Sequence, residues 1–178
     1  MKKILFIAAL LVASFIPKPV QAQEEKLVMA GSSAVLKSVA VQPDIRVAQL
    51  ETFLAKYNSP LTPYAQDFVA MADKYQIDWK LVPAITGVES TFGKQIPSYS
   101  YNAYGWNNGN FRFKSWEDSI EIVSKALREK YFDRGLNTPY KIGPVYAPPS
   151  KTWASKVSFF MQKIEDFDPQ AFPLALTI

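Results

Sequence analysis

Hydrophobic residues recur along the chain in separate runs, with polar, glycine or proline residues between them. Spacings of three and four place apolar residues on one face of a helix, which is typical of an amphipathic helix packed on a core. Capping residues and prolines mark where several of these runs begin or end. The pattern therefore predicts a mainly α-helical domain of five or six helices, which begin near residues 44, 62, 79, 115, 138 and 151.

The third run, around Val82-Pro83-Ala84-Ile85, predicts the central helix of the domain. Asp78 is suited to cap its N-terminus, and Gly93 is suited to end it in a left-handed conformation. The helix should therefore cover about residues 79–92, and Pro83 lies early enough to cost only one backbone hydrogen bond. Glu89 is then the single carboxylate of this helix and lies in its last turn.

Glu89 is a candidate general acid because of where this helix places it. The helix dipole disfavours a carboxylate near the C-terminus, and apolar neighbours add a desolvation penalty. Both effects raise the pKa and keep the group protonated, so that it can donate a proton near neutral pH. The alternative is an ordinary surface glutamate at a frayed helix end.

Residues 90–116 are rich in aromatic rings and contain no Asp or Glu. Asn108-Gly109 is a strong signal for a two-residue turn, so we expect one small β-hairpin here, packed on a neighbouring element. We expect about half of the rings in the core, and the rest as a wall beside Glu89 that stacks on sugar rings. The predicted cross-strand pairs are Trp106 with Phe111 and Tyr104 with Phe113.

The segments after the aromatic region predict the remaining helices. Ser115-Trp116-Glu117-Asp118 resembles a capping box, which would start a helix and direct Asp118 to that helix's own N-terminus. Thr138-Pro139 predicts a short turn of helix. The stretch from Ile142 to Ser150 predicts a loop stiffened by two adjacent prolines, and residues 151–165 predict the last helix.

Residues 1–22 have the pattern of a secretory signal peptide. Two lysines precede an apolar run from Ile4 to Ile16, and the small-residue site Val20-Gln21-Ala22 follows. The run is short for a membrane span, so we expect cleavage, no stable membrane insertion and an extracytoplasmic location, with an uncleaved anchor as the alternative. Residues 23–42 are then a linker or extended segment, 43–166 the domain and 167–178 a C-terminal tail.

Charge and composition narrow the chemistry. The 178-residue chain has a net charge of +4, but without Lys2, Lys3 and Lys18 it has 17 basic and 16 acidic residues, a net +1. This balance does not support nucleic-acid binding. The chain has no histidine and no cysteine, so the usual zinc ligands and the base of a nucleophilic triad are missing. We expect a monomer without metal or other cofactor.

Four short segments, in this order, resemble the glucosaminidase (mannosyl-glycoprotein endo-beta-N-acetylglucosaminidase-like) family of the lysozyme-like superfamily, which cuts peptidoglycan. The resemblance covers about residues 64–165, nearly all of the predicted domain, and it implies a lysozyme-like fold around the Glu89 helix. The segments are Glu89-Ser90-Thr91-Phe92-Gly93-Lys94, Asn102-Ala103-Tyr104-Gly105-Trp106, Phe113-Lys114-Ser115-Trp116-Glu117-Asp118-Ser119 and Tyr146-Ala147.

The resemblance also implies roles for individual residues. Glu89 would be the acid, and Tyr146 would be a polar catalytic group near the anomeric carbon. The residues implied in substrate binding are Phe92, Asn102, Tyr104, Gly105 and Trp106.

The chain departs from the family pattern in two respects. Pro148-Pro149-Ser150 stands where the family motif continues after Tyr146-Ala147, so only Tyr146 carries over. A second carboxylate, which most glycosidases need, is not evident. Candidates by sequence are Glu117, Asp118 and Glu121.

Three functions therefore remain open. The first choice is a secreted peptidoglycan hydrolase of the N-acetylglucosaminidase type, in which the substrate's N-acetyl group would act as nucleophile. A lytic transglycosylase also needs only one acid, because an intramolecular hydroxyl of N-acetylmuramic acid attacks. A wall-binding protein without activity is the third, but such a protein would gain little from a buried acid.

Overall fold

The computed structural model describes residues 43–171, which form six α-helices and contain no strand. The prediction of a mainly helical domain is confirmed. The predicted signal peptide (1–22), the linker (23–42) and the end of the tail (172–178) lie outside the described residues. The helices are α1 (Ile45–Lys56), α2 (Ala65–Tyr75), α3 (Leu81–Ser90), α4 (Trp116–Lys130), α5 (Pro139–Tyr146) and α6 (Trp153–Glu165); short 3-10 helices cover Thr62–Tyr64, Phe132–Arg134 and Pro169–Ala171.

Several helices begin at the polar caps that the sequence contains. The Asp44 side chain accepts a hydrogen bond from the Arg46 amide at the start of α1. At the start of α4, Ser115 Oγ accepts from the Asp118 amide, and Asp118 Oδ2 accepts from the Lys114 amide at 3.0 Å. The expected direction of the Asp118 side chain is therefore confirmed. Each such cap satisfies amides that the first helical turn leaves unpaired.

The central helix α3 is shorter than predicted by two residues at each end. Asp78 caps the turn that precedes the helix, because its carboxylate accepts from the Lys80 amide at 3.0 Å. The helix ends at Ser90, where Thr91 takes the left-handed conformation (φ 53°) two positions before Gly93. Glu89 nevertheless lies in the last turn, as expected.

The prediction of a β-hairpin is wrong, because the described residues contain no strand in this segment. Residues 107–109 all have positive φ, and the Gly109 amide bonds back to the carbonyls of Gly105 and Trp106. Three successive left-handed residues coil the chain into a tight turn, whereas a hairpin needs two such residues between extended strands. Tyr104 and Phe113 still meet edge to face, with centroids 6.1 Å apart, but the contact is made between loops.

Helix α5 continues further than predicted, into the segment expected to be a loop. Ile142 and Gly143 are buried, and α5 packs against α6. Burial against α6 stabilises helical backbone through Pro144, although proline removes one hydrogen bond. As a consequence, Tyr146 is the last residue of a helix and not part of a loop.

Helix α3 lies at the centre of the core. Seven of its ten residues are buried, and it packs against α4 and α6. The predicted domain 43–166 contains all six helices, and Phe167 of the tail packs on Phe53 with centroids 5.5 Å apart. Within residues 43–171 no helix is both long enough and apolar enough to cross a membrane.

Candidate functional site

Glu89 emerges half-buried from the end of α3 beside the start of α6. Its Oε1 accepts a 2.7 Å hydrogen bond from Nε1 of Trp153, the first residue of α6. The Trp153 indole is 2% exposed, and the Trp153 amide donates to Ser150 Oγ. The rigid, buried indole therefore holds the carboxyl group in one position.

The surroundings of Glu89 favour its protonated form. Burial raises the pKa of Glu89, and the hydrogen bond from Trp153 partly opposes this rise. Among the described residues, no charged group contributes to the shift. The direction expected from the sequence is confirmed, with desolvation as the main cause. An isolated carboxylic acid of this kind is able to donate a proton.

Tyr146 lies against the same indole. Its ring stacks on Trp153 with centroids 4.9 Å apart, and its Oη donates a 2.6 Å hydrogen bond to the Tyr104 carbonyl. Burial raises the pKa of Tyr146 well above its ordinary value, and the nearby Glu89 carboxylate raises it further. The hydroxyl therefore stays neutral at physiological pH and cannot serve as a phenolate base.

Gly105 packs directly on the second oxygen of Glu89. A β-carbon at position 105 would lie 2.8 Å from Glu89 Oε2, and the residue has φ +64°. The close approach leaves no room for a β-carbon, and the left-handed backbone also favours glycine. The loop that begins at Gly105 is therefore fitted to the carboxyl group.

Asn102 organises that loop from inside. The side chain is 3% exposed, and its Nδ2 donates to the carbonyls of Trp106 (2.9 Å) and Phe111 (3.1 Å). Its Oδ1 accepts from the Trp106 amide at 2.9 Å. These bonds use both amide hydrogens and the carbonyl oxygen of the Asn102 side chain. Asn102 therefore positions Trp106, and the geometry does not favour a direct contact between Asn102 and substrate.

Two of the rings predicted to bind substrate are core residues instead. Phe92 is 1% exposed and fills the space between Phe53 of α1 and Phe160 of α6. Tyr104 is fully buried, and its hydroxyl lies 3.3 Å from Ser119 Oγ. Their burial does not agree with the substrate-binding role that the family resemblance implies for these two rings. The segments fold over the helices, and burial of large aromatic surface stabilises that arrangement.

Two cavities, of 270 Å³ and 420 Å³, share lining residues and are together called the groove; Glu89 does not line them, but Gly105, which packs on Glu89, lines the first. Trp106 itself is half-buried, so part of its ring faces this groove. Trp106 and Lys130 line both cavities. The first is also lined by Gly105, Asn107, Asn108, Tyr131 and Tyr146, and the second by Phe111, Ile122, Lys125, Ala126 and Glu129.

The three candidates for a second carboxylate are engaged elsewhere. Glu121 Oε1 accepts from Lys74 Nζ at 2.6 Å, and Asp118 bonds to the amide at the start of its own helix. The pKa of Glu117 is lowered by its hydrogen bond to Ser115, at the N-terminus of α4. None of the three contributes to the pKa shift of Glu89. The other carboxylate that lines the groove is Glu129, which lies 3.8 Å from Lys125.

The sequence interpretation missed Trp153 and Lys130. Trp153 was assigned only to the apolar face of the last helix. A tryptophan expected to be buried also needs an acceptor for its N–H, which was a usable signal, although it does not identify the acceptor. No sequence pattern marks Lys130 as a site residue, because its place in the cavity lining depends on the loop that contains Trp106.

A scan of protein-family models finds no match to the chain, and a search of curated proteins finds none either. Within the described residues no group of three or more acidic side chains is arranged to hold a metal ion. The geometry of the site and the motifs in the sequence are therefore what indicates a function.

Proposed function

We propose that this protein is a secreted peptidoglycan hydrolase with a lysozyme-like fold, which cleaves β-1,4 bonds of N-acetylated amino sugars in the periplasm or cell wall. The observation that carries the proposal is the Glu89 carboxyl group. It is desolvated, isolated from other charges and held by Trp153, and Gly105, which packs on it, lines a cavity together with the aromatic ring of Trp106. These are the properties of a general acid in glycoside cleavage.

In the proposed reaction, Glu89 donates its proton to the glycosidic oxygen while the bond from that oxygen to the anomeric carbon breaks. The carbonyl oxygen of the substrate's own N-acetyl group attacks the anomeric carbon and forms a cyclic intermediate. Glu89, now a carboxylate, then takes a proton from a water molecule whose oxygen adds to that carbon, while the bond from the carbon to the acetyl oxygen breaks and the N-acetyl group is restored. The acid is regenerated, and no second protein carboxylate is needed.

The remaining residues would place the substrate against this acid. Trp106 offers an aromatic face for stacking on a sugar ring. Tyr146 would contribute as a neutral hydroxyl near the anomeric carbon, and it fixes the Tyr104 carbonyl and thereby the loop. Gly105 leaves the space that Glu89 Oε2 occupies.

The second candidate is a lytic transglycosylase. It is favoured by the electrostatic isolation of Glu89 among the described residues, since this reaction needs one acid and neither a second carboxylate nor an activated water. In this reaction Glu89 first donates its proton to the glycosidic oxygen, and the bond from that oxygen to the anomeric carbon breaks. A hydroxyl of the same N-acetylmuramic acid then attacks the anomeric carbon and passes its proton to the Glu89 carboxylate, which forms an anhydro sugar and regenerates the acid.

The products distinguish these functions. Purified peptidoglycan digested with the mature protein should release fragments whose masses identify the new ends. Reducing-end N-acetylglucosamine would support the hydrolase, and anhydro-muramic ends would support the transglycosylase. An undigested wall that still retains the protein would contradict both and indicate a binding protein.

A further inference from the structure

Lys130 lies where the two cavities of the groove meet, at the end of α4. Two other basic residues of α4 already have acidic partners. Lys125 lies 3.8 Å from Glu129, and Arg128 lies 2.9 Å from Asp133. Among residues 43–171 the exposed Lys130 ammonium has no ion-pair partner, so its charge is available to a ligand.

A second cation reinforces this positive end of the groove. Arg134 Nη1 donates to the Lys130 carbonyl at 3.3 Å. Burial raises the pKa of Tyr131, and the nearby Arg134 guanidinium partly opposes that rise, which places its charge beside a residue of the 270 Å³ cavity. The segment 90–116 contributes only uncharged residues to the two linings, and the acidic residue among the lining residues, Glu129, lies 3.8 Å from Lys125.

The position of Lys130 relative to Glu89 sets it apart from the lysines of the other cavities. In the 350 Å³ cavity, Lys80 pairs with Asp78 and Glu165. The 370 Å³ cavity also has a surface lysine, Lys151, and an aromatic ring, Tyr140, but its lining includes no residue of the loop that begins at Gly105. Lys130, in contrast, lines both cavities of the groove together with Trp106.

We propose that Lys130 makes the groove selective for amino-sugar strands that carry carboxylates, as opposed to neutral chitin-type strands. The inference rests on the proposed function, since it names the substrate class of the same site. Trp106 would stack on a sugar ring while the Lys130 ammonium pairs with a carboxylate of that sugar or its neighbour. In peptidoglycan the carboxylate has two sources, the lactyl group of muramic acid and the attached peptide.

Binding measurements on Glu89→Gln protein test the inference without consuming the strands. The probes are peptide-free muramyl strands with free lactyl carboxylates, the same strands after conversion to methylamides, and strands that retain their peptides. Lys130→Gln is introduced into this protein, with Lys156→Gln on the exposed face of α6 as the matched control. Lys156 has no ion-pair partner among the described residues and does not line the groove.

Lys130→Gln should weaken binding of the carboxylate strands about fivefold at low salt and less at high salt. Binding of the methylamide strands should be unchanged by Lys130→Gln, and Lys156→Gln should have no effect on any strand. A loss confined to peptide-free strands identifies the lactyl carboxylate, and a loss confined to peptide-bearing strands identifies the peptide. Equal weakening of charged and methylamide strands, or no weakening at all, would overturn the inference.

Cleavage by the protein with intact Glu89 is measured in parallel, so that the two proposals fail separately. If the strands are cleaved but Lys130→Gln does not discriminate between them, the proposed function stands and the charge selectivity fails. If nothing is cleaved but charged strands lose affinity in the Lys130→Gln protein, the selectivity stands and the hydrolase proposal fails.

Discussion

The indole Nε1 of Trp153 donates a 2.7 Å hydrogen bond to Oε1 of Glu89, and this contact joins the beginning of α6 to the end of α3. The bond favours the charged carboxylate, while burial favours the neutral acid, and burial is the larger effect. Trp153 therefore positions the acid and also limits how far its pKa rises. This balance leads directly to the first prediction.

Replacing Trp153 by Phe should move the pH dependence of activity. The hydrogen bond that favours the ionised form is lost, so the pKa of Glu89 should rise further and the acid should stay protonated to higher pH. The alkaline limb of the pH–activity profile should therefore shift to higher pH. Turnover should also fall, because the carboxyl group is less well positioned. The profile of wall-clearing activity against pH, together with the carboxyl titration followed by NMR, measures both effects.

Trp116→Phe is the matched control for this substitution. Trp116 is also a largely buried indole, and it packs on Tyr64 and Tyr101, away from Glu89. Its replacement should change stability without moving the profile. If both variants move the alkaline limb equally, the shift is due to general loosening and not to the Trp153 bond.

Gly105→Ala should reduce turnover far more than it reduces stability. The added β-carbon would meet Glu89 Oε2 at 2.8 Å and displace the carboxyl group. A displacement on the order of 1 Å is enough to reduce turnover about 10- to 100-fold.

Gly109→Ala is the control in the same loop, because Gly109 also has positive φ (+80°) but open space around its β-carbon position. Both variants carry a backbone cost of about 1–2 kcal/mol, so a thermal midpoint scan should not distinguish them. Equal kinetic losses would mean that strain alone explains the effect.

Trp106→Ala should weaken binding of amino-sugar oligomers about tenfold, roughly 1.4 kcal/mol, by removing the stacking face. The thermal midpoint should change little, because the bonds between Asn102 and position 106 involve the backbone of that residue. Tyr104→Ala provides the contrast, since that ring is fully buried and its loss should lower the midpoint strongly. A collapse of the midpoint in Trp106→Ala would assign Trp106 to the core.

The raised pKa of Glu89 also predicts how stability depends on pH. A group whose pKa is higher in the folded protein binds more protons there, so its favourable contribution is complete below the ordinary glutamate pKa of about 4.3. That contribution is lost as pH rises through the folded pKa. The thermal midpoint of the Glu89→Gln variant, minus that of the parent protein, should therefore increase as pH rises from 4 to 7.

Glu121→Gln should show the opposite trend. The pKa of Glu121 is lowered, first by its hydrogen bond to Lys74, so its contribution is present at neutral pH and is lost as pH falls. The two midpoint differences, measured by calorimetry in the same buffers, should have opposite slopes against pH. Parallel slopes would contradict the assigned surroundings of Glu89.

The sequence predicted the helices because each has strong local signals. The apolar spacing, the caps at Asp44, Ser115 and Thr138, and the apolar run of α3 all act within one or two turns. The prediction of a hairpin was wrong because the Asn108-Gly109 signal takes no account of the conformation of the residue before it. Asn107 is left-handed as well, and the buried Asn102 side chain takes the hydrogen bonds that a strand ladder would have used.

The candidate site was predictable only in part, for the same reason. Glu89 was identified from its place in an apolar helix, a local feature. Its partner Trp153 is 64 residues away, and its contact with Gly105 depends on a loop conformation that no local pattern specifies. The number of aromatic residues in the segment also does not show which of them are buried. Phe92 and Tyr104 are buried, whereas Trp106 borders a cavity.

The most direct test of the account is the activity of Glu89→Gln on purified peptidoglycan. The substitution keeps the volume and an oxygen acceptor for Trp153 Nε1 but removes the transferable proton, so release of soluble fragments should fall by about 100-fold or more. Circular dichroism should show unchanged helix content, and Glu121→Gln should retain full activity. A correctly folded Glu89→Gln protein that releases fragments at close to the parent rate would contradict the assignment of Glu89 as the general acid.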